Sequence, residues 1–182
     1  QKMAKPLITK AVEHSLTLKF EDIPDSTKAS AKTLILDSLG VGLAGSSTTE
    51  SGWLQDFATK NSSGQTSNGW NMNQKLDAAN AAMINAHQMH TLEFDAIHEP
   101  AVVHPMTVVF PSVVAWMQRA HVTQGYVPNG KDLIKAVCVG VDIAGGLGDV
   151  TTSPLQFFRP ATAGAIGAVA AINSISSPTT ES

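Results

Sequence analysis

At 182 residues and 43% hydrophobic, the chain has the length and composition of one globular domain, which excludes a disordered one. Its net charge of −3 and isoelectric point of about 6.0 leave no basic stripe for nucleic acid. Only 15% of residues are charged, against roughly 25% in an average soluble domain, which predicts a large neutral surface facing a partner or another part of the protein.

Leu7, Ile8, Ala11, Val12, Ser15 and Leu16 share one helical face and predict an amphipathic helix over 5–18. Pro24 and the acids around it open a longer helix over 25–44. Its second half, from Leu34 to Leu43, is apolar nearly all round, so it is expected at the centre of the fold. A short helix is predicted over 51–60. The Ser-, Asn- and Gly-rich stretch 61–73 reads as a loop with one strand-like turn at Trp70. Helices follow over 76–90 and 105–120, the second opening on Pro105 and expected to kink or restart at Pro111. A turn over 125–130 leads to an apolar helix over 131–147. A loop over 151–160 precedes a small-residue helix over 161–174. No segment alternates with period two, so the fold class is all-α. The glycines at 145, 146 and 148 follow no strand and precede no P-loop lysine. After Pro178 the chain reads as stopping at the start of another helix.

No stretch predicts a membrane span or the apolar core of a signal peptide. The lone cysteine, Cys138, lies in an apolar run and reads as a packing residue, without an internal disulfide. This points to a reducing compartment, the cytoplasm or alternatively the mitochondrion.

Ionisable groups collect in one place. Residues 87–104 hold four of the six histidines (His87, His90, His98, His104) together with Glu93, Asp95 and Glu99. Most of them lie in a connection longer than two helices need, and such connections are often functional. Three readings stand at this point. The stretch is a solvated loop, or a metal site, or an acid/base site for a small anion. His87 and His90 stand three apart on a helix, but the spacing matches no strong metal signature such as H-E-x-x-H. For acid/base work, histidine moves protons near neutral pH while Glu93 or Asp95 orients it. His104, directly before Pro105, sits beside the free N–H groups of a helix start, which suits a carboxylate. His87 and His90 alone read as packing or hydrogen-bonded helix residues. Arg159, flanked by Phe158 and Pro160, stands at a helix entry where its guanidinium and Thr162 can hold a carboxylate.

The segment from His90 to His98, then His104-Pro105 and Val108-Val109-Phe110-Pro111, resembles the MmgE/PrpD family. The stretch from Leu34 to Gly45 is similar to that family's opening helix. The stretch from Arg159 to Ala168 is similar to its segment before a Gly/Ala helix. The resemblance covers nearly the whole chain in the family's order. It implies that residues 1–182 are the N-terminal part of a larger all-helical domain, completed elsewhere by an α/β lid. It further implies a homodimer without metal or organic cofactor, and small di- and tricarboxylate substrates.

Carried over by position, Glu93 and Asp95 match the family's loop acids, and His98 matches a histidine of some members. His104 matches the histidine before the helix, a substrate-binding or proton-transfer group. Two positions depart from the pattern. Ala96 stands where a second aspartate is common, and Arg159 where histidine is usual; arginine keeps a cation but stays protonated. The expected catalytic residues are therefore His104, His98, Glu93 and Asp95, with Arg159 and Thr162 binding substrate. The expected activity is that of a lyase on a 2-methylcitrate- or cis-aconitate-like acid. The alternatives are an isomerase of the iminodisuccinate type and a non-catalytic, truncated helical scaffold.

Overall fold

The computed structural model describes residues 6–151 and 158–176. The helix start expected after Pro178, and most of the loop expected over 151–160, lie outside these residues. The described chain forms α1 (Leu7–Thr17), a 3-10 turn at Phe20–Asp22, α2 (Asp25–Gly45) and α3 (Thr49–Asn61). Two short strands follow, β1 (Ser67–Asn68) and β2 (Lys75–Leu76), then α4 (Ala78–His90), α5 (Pro105–Gln124), α6 (Gly130–Asp149) and α7 (Arg159–Ser176). The fold is predominantly α, as the absence of alternation predicted.

Local chemistry sets the helix limits. The Thr48 hydroxyl accepts the Ser51 N–H at the start of α3. Asn129 accepts the Asp132 N–H at the start of α6 (2.9 Å). Asp77 accepts the N–H groups of Ala79 and Asn80 (both 3.0 Å) and so starts α4. Burial works to raise the Asp77 carboxyl, but hydrogen bonds from Asn80, Ser62 and Ser63 outweigh it and bring it down to about 2. α5 begins on Pro105, whose missing N–H costs nothing in a first turn. It ends on Gly125, left-handed at φ 70°.

Three expectations are corrected here. First, α5 and not α2 is the central helix. Val109, Phe110, Val113 and Met117 of α5 are buried against α4, α6 and α7. α2 packs on α4 and α6, but Leu36 and Leu43 remain 72% and 53% exposed. An all-apolar surface does not reveal how many of its sides have neighbours. The same holds for α1, whose apolar residues Leu7, Ile8, Val12 and Leu16 stay exposed while Ser15 is buried. Second, of the two outcomes expected at Pro111, a kink or a restart, the restart does not occur: α5 is continuous through it. The buried proline forgoes one helical hydrogen bond inside a helix held by its neighbours. Third, the loop expected over 61–73 carries β1, which pairs antiparallel with β2 through Ser67 opposite Leu76 and Asn68 opposite Lys75. Two residues per strand are too few for a periodicity to show. Leu76 thus belongs to the ladder, not to the helix after it.

Cys138 is buried, and burial pushes its thiol up, with Asp142 adding to the effect, as expected of a packing residue. Among the described residues no helix is long and apolar enough to cross a membrane.

Candidate active site

The site grows from two facing helix ends. α4 brings His90 at its last residue. α5 brings His104 as its N-cap and Thr107 in its first turn. Both helices are fixed by the buried side chains of Met89, Met106 and Phe110, which pack together. The connection between them folds back in two tight turns. The Glu93 N–H donates to the His90 carbonyl (2.9 Å), with Glu93 left-handed at φ 54°. Further on, the backbones of His98 and Val103 exchange hydrogen bonds (2.9 and 3.4 Å) across a turn holding Val102, also at φ 54°. A β-branched residue in that region is strained. The neighbours that hold it are Ala101 and Val103, both fully buried against Leu147 and Ala163. Ala101 also sits tightly on α6: a Cβ at Gly148 would lie 2.4 Å from that of Ala101.

This folding turns Asp95 inward while Phe94 and Ile97 stay 73% and 53% exposed. The Asp95 carboxylate, with a fully buried side chain, gathers three donors. The Thr107 hydroxyl donates to Oδ2 in a short contact. His104 Nδ1 approaches Oδ2 at 2.9 Å, and His90 Nδ1 approaches both oxygens at 3.1 and 3.2 Å. Burial works against the charged form of Asp95. The hydrogen bonds from Thr107 and His90, with the two rings close by, outweigh burial and hold the carboxyl below its ordinary value. An ionised carboxylate only accepts, so each ring nitrogen facing it carries the hydrogen. Both histidines are thereby fixed with Nδ1–H toward Asp95. Exposure rises outward from the carboxylate, to 19% for the His104 side chain and 37% for His90. The arrangement is a buried anion that orients two imidazoles whose other nitrogens look outward, the geometry general acid/base chemistry requires.

Of the residues predicted from sequence, Glu93, Asp95 and His104 come together. Glu93 Oε1 lies 3.3 Å from His90 Nε2. His98 has other partners: its Nδ1 accepts the Ala101 N–H (3.3 Å) and stands 3.9 Å from Asp149, so it shapes the loop and faces the end of α6. Arg159, first residue of α7, donates to the carbonyls of Ala101 and Thr151 (both 3.3 Å), which ties the outer turn of the loop to α7. The Thr162 hydroxyl donates to the carbonyls of Phe158 and Arg159 in the preceding turn.

Two site residues escaped the sequence reading, His90 and Thr107. His90 read as an ordinary helix histidine because its link to Asp95 depends on the chain reversing after Thr91. Its sequence signals were the crowding of ionisable groups over 87–104 and Glu93 three residues on, within reach of the same ring. His87, its neighbour one turn earlier, stays apart, with a buried Nε2 that has no hydrogen-bond partner among the described residues. His90, Asp95 and His104 bring one donor atom each within 4.8 Å of one another, a composition that also occurs around metals. The same carboxylate oxygens lie at hydrogen-bond distance from both rings and from the Thr107 hydroxyl.

The model of the MmgE/PrpD N-terminal domain matches residues 11–182. Over 159 residues, 85% of this chain, the sequence is 30% identical to the cis-aconitate decarboxylase of Mus musculus. It is 28% identical over the same length to that of Homo sapiens. In each case the match covers 32% of the relative, so the chain spans about a third of the length of these curated proteins.

Proposed function

The chain belongs to the MmgE/PrpD family, and from that premise we propose that the protein it comes from is a lyase acting on a small di- or tricarboxylate. The reaction is loss of carbon dioxide or water from a cis-aconitate- or 2-methylcitrate-like acid. The observation that carries this reading is His104, locked by the buried Asp95 carboxylate with its Nε2 directed away from it.

Either reaction moves a proton at a carbon next to a carboxylate. In dehydration, His104 Nε2 removes that proton, the electron pair forms the double bond, and the hydroxyl takes a proton from solvent and leaves as water. In decarboxylation, the bond to the departing carboxylate breaks, carbon dioxide leaves, and the electron pair left on carbon takes a proton that His104 Nε2 relays from solvent. Asp95 fixes the ring and stabilises its protonated form, a role worth typically 10²–10⁴-fold together with the proton transfer itself. Thr107 holds Asp95 in place. Arg159 is the cation assigned to a substrate carboxylate, with Thr162 one turn on. The first turn of α5 adds the partial positive charge of a helix start near His104. No metal or organic cofactor enters this scheme, and a homodimer belongs to the same reading.

The test is incubation of the full-length protein with cis-aconitate, 2-methylcitrate, citrate and iminodisuccinate, followed by product analysis. Carbon dioxide or water lost from one of the first three is the expected result. Stereochemical change of iminodisuccinate alone would make the protein an isomerase. No conversion of any acid would leave a non-catalytic helical scaffold.

A further inference from the structure

The neighbours of the two rings decide where protons reside. His90 Nδ1 faces Asp95, and His90 Nε2 stands 3.3 Å from Glu93 Oε1. A ring flanked by carboxylates at both nitrogens satisfies both only when both nitrogens carry hydrogen. His104 is different. Its Nδ1 faces Asp95, and its Nε2 has no hydrogen-bond or ion-pair partner among the described residues. The two rings meet edge to face with centroids 4.9 Å apart. At that distance a cation on one ring opposes a second cation on the other.

We propose that His90 is a positioning residue that stands as the cation of this cluster, between Asp95 and Glu93, and thereby keeps His104 neutral with Nε2 as a free base. Charge then alternates through the site: Glu93 and Asp95 negative, His90 positive, His104 neutral. Glu93, Asp95 and His104 are the titratable groups in hydrogen-bond, ion-pair or ring contact with His90. In a dehydration the first chemical step is accordingly proton removal from the substrate. This deepens the lyase reading and rests on it for the kinetic test, but not for the spectroscopic one.

The spectroscopic test uses full-length protein labelled with nitrogen-15 in histidine, with His90→Gln and His104→Gln to assign the signals. At pH 7 the His90 ring nitrogens are expected to show the two near-equal shifts of an imidazolium. Those of His104 should show the unequal shifts of a neutral Nδ1–H ring. A neutral His90 or a cationic His104 would overturn the proposal whatever the substrate.

The kinetic test follows kcat/KM against pH for the acid the protein converts. Removing a neighbouring cation makes His104 easier to protonate, so His90→Gln should move the acidic limb to higher pH by about 0.5 unit or more, the shift expected even at the dielectric constant of water. His90→Lys restores a positive charge and should return the limb toward the wild-type position. A purely structural role would lower kcat in both variants without moving the limb, and that result also overturns the proposal. If the wild type converts none of the acids, the lyase reading fails while the nitrogen shifts still decide the proton assignment.

Discussion

Replacing Asp95 by Asn is expected to lower turnover by about 10²–10⁴-fold while the protein stays folded. The substitution preserves shape but not hydrogen-bond logic. The carboxylate accepts from Thr107, His104 and His90 at once. A carboxamide has one accepting oxygen, and its NH₂ must face one of the rings as a donor. Where that ring is His104, it presents an unprotonated Nδ1 and carries its hydrogen on Nε2, the nitrogen that must be free to take a proton; where it is His90, that ring loses its cationic form and His104 loses the carboxylate charge that stabilises its protonated form. In the first case the ring is held in place as the wrong tautomer. The buried mismatch should also cost about 1–3 kcal/mol of stability. Kinetics on the variant, with urea unfolding alongside, separates the two effects. Turnover within threefold of wild type would show that Asp95 does not set the tautomer.

The largest loss of stability is expected outside the site, at Gly45. The last turn of α2 meets α4 so closely that a Cβ at Gly45 would lie 1.9 Å from the Gln88 carbonyl oxygen and 2.9 Å from Thr91 Cγ2. The obstacle is helix backbone, which cannot rotate away as a side chain can. Gly45→Ala must therefore push the end of α4 outward, at a cost of about 3 kcal/mol. Because His90 lies between Gln88 and the displaced turn, activity should fall with stability. The urea midpoint and kcat of the variant check both, and a midpoint near that of the wild type would contradict the close approach.

The two predictions show what the sequence carried and what it did not. Helix positions were legible because caps and breakers are local: Pro105 opens α5, Gly125 closes it, and Pro24 precedes α2. The fold's centre was not legible. Leu34 to Leu43 looked central because every side was apolar, yet burial depends on neighbours that a one-dimensional pattern does not contain. The paired strands at Ser67 and Leu76 were too short for periodicity, and the start of α4 was placed one element early as a result.

At the site, residue type and crowding were enough to single out Glu93, Asp95 and His104. Their geometry needed the reversal after Thr91, stabilised by a left-handed Glu93 that no local rule demands. The same reversal makes His90 a partner of Asp95 and sends His98 toward Asp149. Sequence alone gave those two histidines the opposite weights. Arg159 was located correctly at a helix entry, but its guanidinium also bonds the carbonyls of Ala101 and Thr151, a structural duty invisible before the loop and α7 were placed together.

The role proposed for His104, oriented by a buried carboxylate, is to move the proton in a reaction on a small polycarboxylate. The most direct measurement is the turnover of His104→Gln, in the full-length protein, on the acid that the wild type converts, with the melting temperature of the same preparation recorded. Glutamine keeps a donor near Asp95 but has no group that exchanges protons near neutral pH. That role predicts a fall of about 100-fold or more at a nearly unchanged melting temperature. Turnover retained by the folded variant would contradict it.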